Sequence, residues 1–239
     1  MDVEVLEDAG SVADRAAFVI AQQAREAIAA RGSFVLAVSG GHTPWMMLRR
    51  LAAADLPWRY VRIVQVDERV APAGHTDRNL THLRESLAGA PLSPDQIYAM
   101  PVESPDLEAG AASYAATLRK IAGDPVLIDL VHLGLGPDGH TASLVPGDPV
   151  LDVTSVDVAL SGPYQDRRRM TLTYPVLNRS RGVLWVVTGG EKAAMLDRLL
   201  DGDRTIPAGR VSSDRALLLA DRAAAPGRRA SQTGGGTCV

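Results

Sequence analysis

Short apolar runs alternate along the chain with longer segments whose apolar residues recur every three or four positions. Runs of this length are typical of buried strands, and the longer segments have the spacing of one helix face. The predicted strands are residues 34–38, 61–66, 127–133, 183–188 and 216–220. The predicted helices are residues 11–31, 78–88 and 106–121, with shorter helices after residues 43 and 192. Strands that alternate with helices predict a single doubly wound α/β domain of Rossmann-like type, with a mostly parallel sheet and helices on both faces.

Three local patterns refine the predicted boundaries. Ser11 and Asp14 have the three-residue spacing of a capping box, which predicts that the first helix begins at Ser11. The alternating residues 170–173, which follow three arginines, predict one further strand. Residues 223–239 are rich in Ala, Gly, Arg and Ser and show no periodicity. We therefore predict a domain over residues 1–222 and a disordered tail over residues 223–239.

Composition and charge narrow the classes of partner. The chain is 46% hydrophobic and 22% charged, as globular proteins are, which excludes wholesale disorder. The net charge is −3 and no block of like charge is present, so neither nucleic acid nor a membrane surface is an expected partner. No apolar run approaches the roughly 20 residues that span a bilayer. The single cysteine, Cys238, cannot form an internal disulfide, and the first residues lack the pattern of a signal peptide, so we expect a cytoplasmic protein. A monomer is expected, with a dimer as the alternative.

Four polar clusters follow predicted strands. They are residues 39–43, 67–69, 134–140 and 189–192. The ligand site of a parallel α/β sheet lies outside the carboxyl ends of its strands. The four clusters are therefore predicted to converge in one crevice.

The first cluster has the features of a phosphate cradle. Gly40 and Gly41 allow the backbone to approach a ligand closely, and the N–H groups of a following helix favour an anion. Ser39 and Thr43 add hydroxyl groups. The alternative interpretation is a tight strand-to-helix turn that needs glycine for its backbone angles.

Lys192 stands at a second strand–glycine–helix junction. It is one of only two lysines among 25 basic residues, and it follows Gly189 and Gly190. A compact positive charge beside a helix start suits a phosphate. The alternative is a solvated lysine in a first helical turn.

The remaining charged clusters allow several roles. Asp67 could orient a histidine or contact sugar hydroxyls, and Arg69 could bind a phosphate. One of the three arginines 167–169 could turn into the same anion site, and Arg169 is the candidate that we select. The alternative for both clusters is a solvated loop.

His140 is the candidate general base. It ends a glycine-rich turn that contains Asp138 and Gly139, and an imidazole can take a proton from water near neutral pH. His132 lies inside an apolar strand and is predicted to be a packed core residue. No H-E-x-x-H pattern and no cysteine pair is present, so no metal site is expected.

These motifs together resemble the 6-phosphogluconolactonase family, which shares a superfamily with glucosamine-6-phosphate deaminase/isomerase. The resemblance covers about residues 5–220 in the same order and rests on residues 39–44, 67–69, 134–146, 169–173 and 189–194. Deaminases resemble one another in an Asn-Glu pair after the Asp-Gly-His turn, and they usually carry Asp-Glu-Tyr at the second cluster. Here no such pair follows His140, and Arg69 replaces the tyrosine. Both departures favour the lactonase branch.

The resemblance implies an enzyme of the oxidative pentose phosphate pathway that needs no cofactor. It would hydrolyse 6-phosphoglucono-δ-lactone to 6-phosphogluconate, with water activated by His140 and with Asp138 or Asp67 orienting the imidazole. The phosphate would be bound by Arg69, Arg169 and Lys192 with the hydroxyls of Ser39 and Thr43, and the oxyanion by N–H groups around Gly40, Gly41 or Gly139. Two alternatives stay open: a sugar-phosphate isomerase or deaminase of the same superfamily, and a non-catalytic sugar-phosphate-binding domain.

Overall fold

A computed structural model describes residues 1–228, and these residues form ten strands and six α-helices. The strands are β1 (Asp2–Leu6), β2 (Phe34–Val38), β3 (Val61–Gln65), β4 (Asp67–Arg69), β5 (Ile97–Tyr98), β6 (Leu130–Leu133), β7 (Val158–Tyr164), β8 (Arg167–Leu172), β9 (Val183–Val187) and β10 (Ala216–Asp221). The helices are α1 (Ala9–Arg31), α2 (His42–Ala52), α3 (Asn79–Ser86), α4 (Leu107–Ala122), α5 (Tyr174–Arg179) and α6 (Ala193–Leu200). Within residues 1–228, no helix combines the length and the apolar character needed to cross a membrane.

Seven strands form one parallel sheet in the order β1-β10-β9-β6-β2-β3-β5. All five residues of β2 and all five of β9 are buried, because both faces of the sheet are covered. Side chains alternate between the two faces along each strand. Phe34 and Leu36 pack into a core with α1, α2 and α3, whereas Val35 and Ala37 pack into a second core with α4, α5 and α6. The predicted doubly wound α/β fold is confirmed.

A second, antiparallel sheet was not predicted. It has the order β4-β8-β7, and Asp67 faces Thr171 while Arg69 faces Arg169 across its first pair of strands. The two sheets are joined because β3 runs directly into β4, and the Leu172 N–H donates to the Val66 carbonyl oxygen at 2.8 Å. The small sheet therefore stands at the carboxyl edge of the large one and forms a wall beside it.

Two predicted boundaries were wrong. Helix α1 begins at Ala9 and its N-cap is Asp8, whose carboxylate accepts the Ser11 N–H at 2.8 Å. Ser11 is thus a donor within the first turn and not the capping residue. Strand β6 begins at Leu130, since Leu127 closes a turn by donating its N–H to Ala122.

The chain after β10 continues to pack against the domain. Ala224 and Ala225 are 1% and 4% exposed and belong to the core on the α4 side of the sheet. The Asp221 carboxylate accepts the Ala224 N–H at 2.8 Å. The first residues of the predicted tail are thus packed, and the rest of it, residues 229–239, lies outside the described residues.

This packing predicts that two truncations differ in stability. A chain that ends at Arg222 loses two buried methyl groups, which is a loss of about 2 kcal/mol. For a domain of this size we expect a fall in Tm of about 4–8 °C relative to a chain that ends at Arg228. Thermal unfolding of the two truncated chains, followed by circular dichroism, measures the difference. Equal Tm values would show that Ala224 and Ala225 contribute nothing.

Candidate active site

A cavity of about 530 Å³ opens at the carboxyl edge of the large sheet. It lies where the strand order reverses, because the chain passes from β2 to β3 on one side and β6 pairs with β2 on the other. Such switch points are the usual ligand sites of doubly wound sheets. The lining includes Ser39, Gly40, Gly41, Thr43, Asp67, Arg69, His140, Arg169 and Lys192. The four polar clusters therefore converge as predicted.

His140 and Asp138 form a hydrogen-bonded pair at the cavity wall. The Nδ1 atom of His140 lies 2.5 Å from Oδ1 of Asp138, and the backbone N–H of His140 donates to the same oxygen at 3.1 Å. Burial raises the pKa of Asp138, but the hydrogen bonds from His140 and Tyr164 outweigh burial and leave this pKa below its ordinary value. A carboxylate at Nδ1 holds the ring proton there, so Nε2 carries the free lone pair.

A glycine that the sequence analysis did not select makes room for this imidazole. A Cβ atom on Gly136 would overlap the His140 Nδ1 atom, so the ring would have to move. The same turn is closed by two backbone hydrogen bonds, from the Gly136 N–H to the His140 carbonyl and from the Gly139 N–H to the Gly136 carbonyl. The spacing Gly-x-x-x-His is visible in the sequence. It does not show that glycine is required at position 136 until the position of the His140 ring is known.

Gly139 does not line the cavity. Its N–H is already bonded within the turn, so it is not free to stabilise an oxyanion. Its φ is +84°, and a Cβ atom at this position would lie only 2.8 Å from the Ile206 side chain, which explains why glycine stands there. Gly139 was predicted to contact the substrate. In the structure this glycine instead shapes the turn.

Asp67 lies in the cavity wall but has no hydrogen bond to His140 within the described residues. Its Oδ2 accepts the Ser143 hydroxyl at 2.6 Å, and its Oδ1 lies 3.4 Å from the Asn79 amide nitrogen. Burial raises the pKa of Asp67, and the Ser143 hydrogen bond and two neighbouring arginines oppose this shift only in part. Of the two carboxylates considered for orienting the imidazole, Asp138 is the one in contact.

The two site arginines lie side by side on the small sheet. Arg69 donates to the Asp77 carbonyl at 2.9 Å, and Arg169, 2% exposed, donates to the Tyr164 carbonyl at 3.2 Å. Within residues 1–228 neither forms a salt bridge with a carboxylate. Burial lowers the pKa of Arg169, and the positive charge of Arg69 adds to this effect. Two neighbouring guanidinium groups that have no carboxylate partner favour the binding of an anion.

The other two arginines of the basic run point elsewhere. Arg167 pairs with the Asp77 carboxylate at 2.9 Å, and Arg168 is exposed. Alternation along β8 turns Arg168 to the side opposite Arg169. Arg167 is on the same side of the strand as Arg169 but is held by its ion pair with Asp77. Arg169 is therefore the arginine of this run that reaches the cavity.

The loop after β2 presents polar groups to the cavity. Gly41 has φ +137°, a conformation that side chains rarely adopt, and a Cβ on Gly40 would lie 2.1 Å from the Asn79 Oδ1 atom. The buried Ser39 hydroxyl has no partner within the described chain, and the Thr43 hydroxyl lies 2.7 Å from that of Thr188. Close backbone approach and free donors at the start of α2 together fit an anion better than a purely structural turn.

His132 is confirmed as a core residue, and it supports this loop. It is fully buried, and burial lowers its pKa to about 3, so the imidazole is neutral at physiological pH. Its Nδ1 accepts the Ser39 N–H at 3.2 Å. The ring thus fixes the first residue of the loop from below the cavity.

Lys192 lies on the opposite flank, in a 3₁₀ turn that precedes α6. Its side chain is 21% exposed, and its Nζ is 3.9 Å from Glu191. Gly189 has φ +99°, and its N–H donates to both oxygens of the Asp221 carboxylate at 3.1 Å. The last strand of the sheet thereby holds the lysine turn in place. Among the described residues no group of three His, Cys, Asp or Glu side chains could hold a metal ion.

Comparison with known proteins agrees with this geometry. The family model described as "Glucosamine-6-phosphate isomerases/6-phosphogluconolactonase" matches residues 7–219. The rat protein named 6-phosphogluconolactonase is 38% identical over 208 residues, which are 81% of this chain and 79% of the rat chain. A Synechocystis protein of the same name is 35% identical over 82% of this chain and 84% of its own. The crystal structure of 6-phosphogluconolactonase from Thermotoga maritima superposes with a TM-score of 0.83 at 26% identity, covering 92% of this chain and 98% of that one. The chain therefore belongs to the glucosamine-6-phosphate isomerase/6-phosphogluconolactonase family.

Proposed function

We propose that this protein hydrolyses 6-phospho-D-glucono-1,5-lactone to 6-phospho-D-gluconate, a step of the oxidative pentose phosphate pathway. The observation that carries the proposal is the Asp138–His140 pair at 2.5 Å, which opens into the same cavity as Arg69 and Arg169. A base and unpaired cations in one crevice suit hydrolysis of an anionic substrate. The names of the relatives support the same substrate.

His140 acts as the general base in this proposal. Asp138 holds the proton on Nδ1, so Nε2 is free to take a proton from water as its oxygen attacks the lactone carbonyl. The ring C–O bond then breaks, and the proton on Nε2 passes to the departing ring oxygen. Atoms and charge balance without a cofactor, because water supplies the hydroxyl group of the new carboxylic acid and the proton of the new alcohol. The acid then ionises to the carboxylate and releases one proton to the solvent.

Backbone N–H groups stabilise the tetrahedral oxyanion. Within residues 1–228 the N–H groups of Gly40 and Gly41 have no protein acceptor, whereas that of Gly139 is used within its turn. Donors that are already in place cost no reorganisation when charge develops on the oxygen.

Three cations bind the phosphate. Lys192 approaches from the turn before α6, and Arg69 and Arg169 approach from the small sheet. The Ser39 and Thr43 hydroxyls complete the site as neutral donors. Because the phosphate carries close to two negative charges, a helix start alone does not neutralise it.

Of the two departures from the deaminase pattern, the one after His140 bears directly on the chemistry. Superfamily deaminases that resemble this chain place a glutamate five residues after the histidine, and here that residue is the half-buried Val145. An apolar side chain cannot assist ring opening of an amino sugar. Freshly generated 6-phosphogluconolactone and glucosamine 6-phosphate, assayed side by side, distinguish the two reactions. Turnover of neither substrate would favour the non-catalytic sugar-phosphate-binding domain.

Cellular location and assembly remain predictions. A cytoplasmic location fits a chain with one cysteine. The expected assembly is a monomer, with a dimer as the alternative. Size-exclusion chromatography with light scattering measures the assembly state.

Replacement of the base is the first test of mechanism. We expect His140→Ala to lower kcat by about 10²–10⁴-fold, the usual contribution of a general base. His82→Ala, at a half-buried histidine of α3 that does not line the cavity, is the control and should keep normal turnover. The rate is measured after subtraction of spontaneous hydrolysis. Near-normal turnover of His140→Ala would remove this residue from the mechanism.

The space for the imidazole provides a second test. Gly136→Ala forces the His140 ring to move, and a displacement of about 1 Å can cost about 10²-fold in rate. Gly89→Ala is the control, because a Cβ there meets only the Ala52 methyl group at 4.0 Å and Gly89 does not line the cavity. Both variants should retain the circular dichroism of the parent. Equal kcat values for the two variants would contradict the assigned position of the ring.

Substitution of each of the two lysines of the chain tests the phosphate contact. Lys192→Ala should lower kcat/KM for the phosphorylated lactone by about ten- to a hundredfold, as for the loss of one charge-assisted contact. Lys120→Ala, on an exposed face of α4, is the control and should change neither constant. Unphosphorylated glucono-1,5-lactone should be affected far less by either variant. An equal loss for both lactones would mean that Lys192 does not bind phosphate.

A further inference from the structure

Tyr164 reaches the Asp138–His140 pair from the small sheet. It is the last residue of β7, and the tight turn to β8 places Gln165 and Asp166 at φ +51° and +61°. The pairing of β7 with β8 shifts register between Ser161 and Tyr164. This irregular hairpin end places the phenol ring against His140 and Arg169, which line the crevice.

The hydroxyl group of Tyr164 contacts the carboxylate that orients the base. It donates to Oδ2 of Asp138 at 3.1 Å, while Oδ1 of the same carboxylate faces the His140 ring. The two rings meet edge to face, with centroids 5.2 Å apart and planes inclined by 64°. Burial and the Asp138 carboxylate raise the pKa of the Tyr164 phenol, so it remains a donor throughout the physiological range. Both oxygens of Asp138 therefore have a donor, which leaves its plane little freedom to rotate.

The ring face of Tyr164 serves a different group. The Arg169 guanidinium carbon lies 5.0 Å from the ring centroid, and its N–H groups donate to the Tyr164 carbonyl. The charged and titratable groups around the phenol are thus Asp138 and His140 from the turn after β6 and Arg169 from β8, with Arg69 behind Arg169. One side chain touches both the base and the anion-binding half of the site.

We propose that Tyr164 is a positioning residue with two separable roles: its hydroxyl fixes the Asp138 carboxylate for His140, and its ring face holds Arg169 toward the substrate anion. This inference rests on the proposed lactone hydrolysis for its kinetic test. The hydroxyl contributes to turnover, because a carboxylate free to rotate no longer presents Oδ1 to the imidazole. The ring contributes to affinity, because a guanidinium stacked on an aromatic face loses less freedom on binding an anion.

Two substitutions separate the roles. Tyr164→Phe keeps the ring and removes the hydroxyl, so kcat should fall about tenfold while KM is unchanged. Tyr164→Leu removes both, so KM should also rise, by about two- to thirtyfold, the range for loss of a cation–π contact. Tyr60→Phe is the matched control, since Tyr60 is also stacked under an arginine but is exposed and outside the cavity.

The pH profile provides a readout that a merely structural residue would not move. Without the Tyr164 hydroxyl the Asp138 carboxylate is free to turn away from the imidazole, so it stabilises the imidazolium less. The acidic limb of kcat/KM should therefore move to lower pH in Tyr164→Phe and stay in place in Tyr60→Phe. Unchanged kcat and an unchanged limb in Tyr164→Phe would overturn the role of the hydroxyl. A KM for Tyr164→Leu equal to that of Tyr164→Phe would overturn the role of the ring.

A measurement without substrate separates this inference from the proposed function. The ¹⁵N chemical shifts of the His140 ring report which nitrogen carries the proton. We expect the Nδ1–H form in the parent and a mixture of forms in Tyr164→Phe. If the parent shows no lactonase activity, the proposed function fails. The tautomer measurement still tests whether the Tyr164 hydroxyl positions Asp138. An identical tautomer in both proteins would contradict the proposal even if the enzyme is active.

Discussion

The geometry of the site depends on one buried carboxylate, that of Glu68. It is fully buried and accepts the N–H groups of Asn79 and Leu80 at 2.8 and 2.9 Å, and it pairs with the buried Arg78 at 3.1 Å. A charge without such partners would be very costly in this interior. These two hydrogen bonds and the ion pair fix the start of α3 against β4. The Asn79 side chain is thereby placed beside Asp67, Gly40 and Arg69. The loop after β2 and the arginine wall, which consists of Arg69 and Arg169, are thereby held at a fixed distance across the cavity.

The large sheet could be predicted because its signals are local. Continuous apolar runs such as residues 34–38 and 183–187 need burial on both faces, and only a sheet covered by helices provides that. Parallel strands end at one edge, so the convergence of the polar clusters also followed from the chain alone. The assignment of His132 to the core followed from its apolar strand in the same way.

The second sheet and the details of the site could not be predicted, because they depend on contacts between distant segments. Strand β4 has three polar residues, and its partner β8 lies about 100 residues away along the chain. A loop of three residues could carry the same pattern of charges, so the sequence does not distinguish it from a strand. The choice between Asp67 and Asp138 likewise depended on a distance, since both carboxylates follow strands that end at the same edge. Gly136 and Tyr164 acquire their meaning only from the position of the His140 ring.

The arginine wall also affects the side reactions that are open to a lactone in the site. A lactone acylates amines as well as water, so any free amine beside it is a competing nucleophile. A guanidinium stays protonated and offers no lone pair. Arg69 and Arg169 can therefore hold a reactive ester beside the base without being modified by it. One of the two lysines in the chain, Lys192, also lines the cavity, so the guanidinium groups of Arg69 and Arg169 supply the part of the positive charge in the site that the electrophilic substrate cannot acylate.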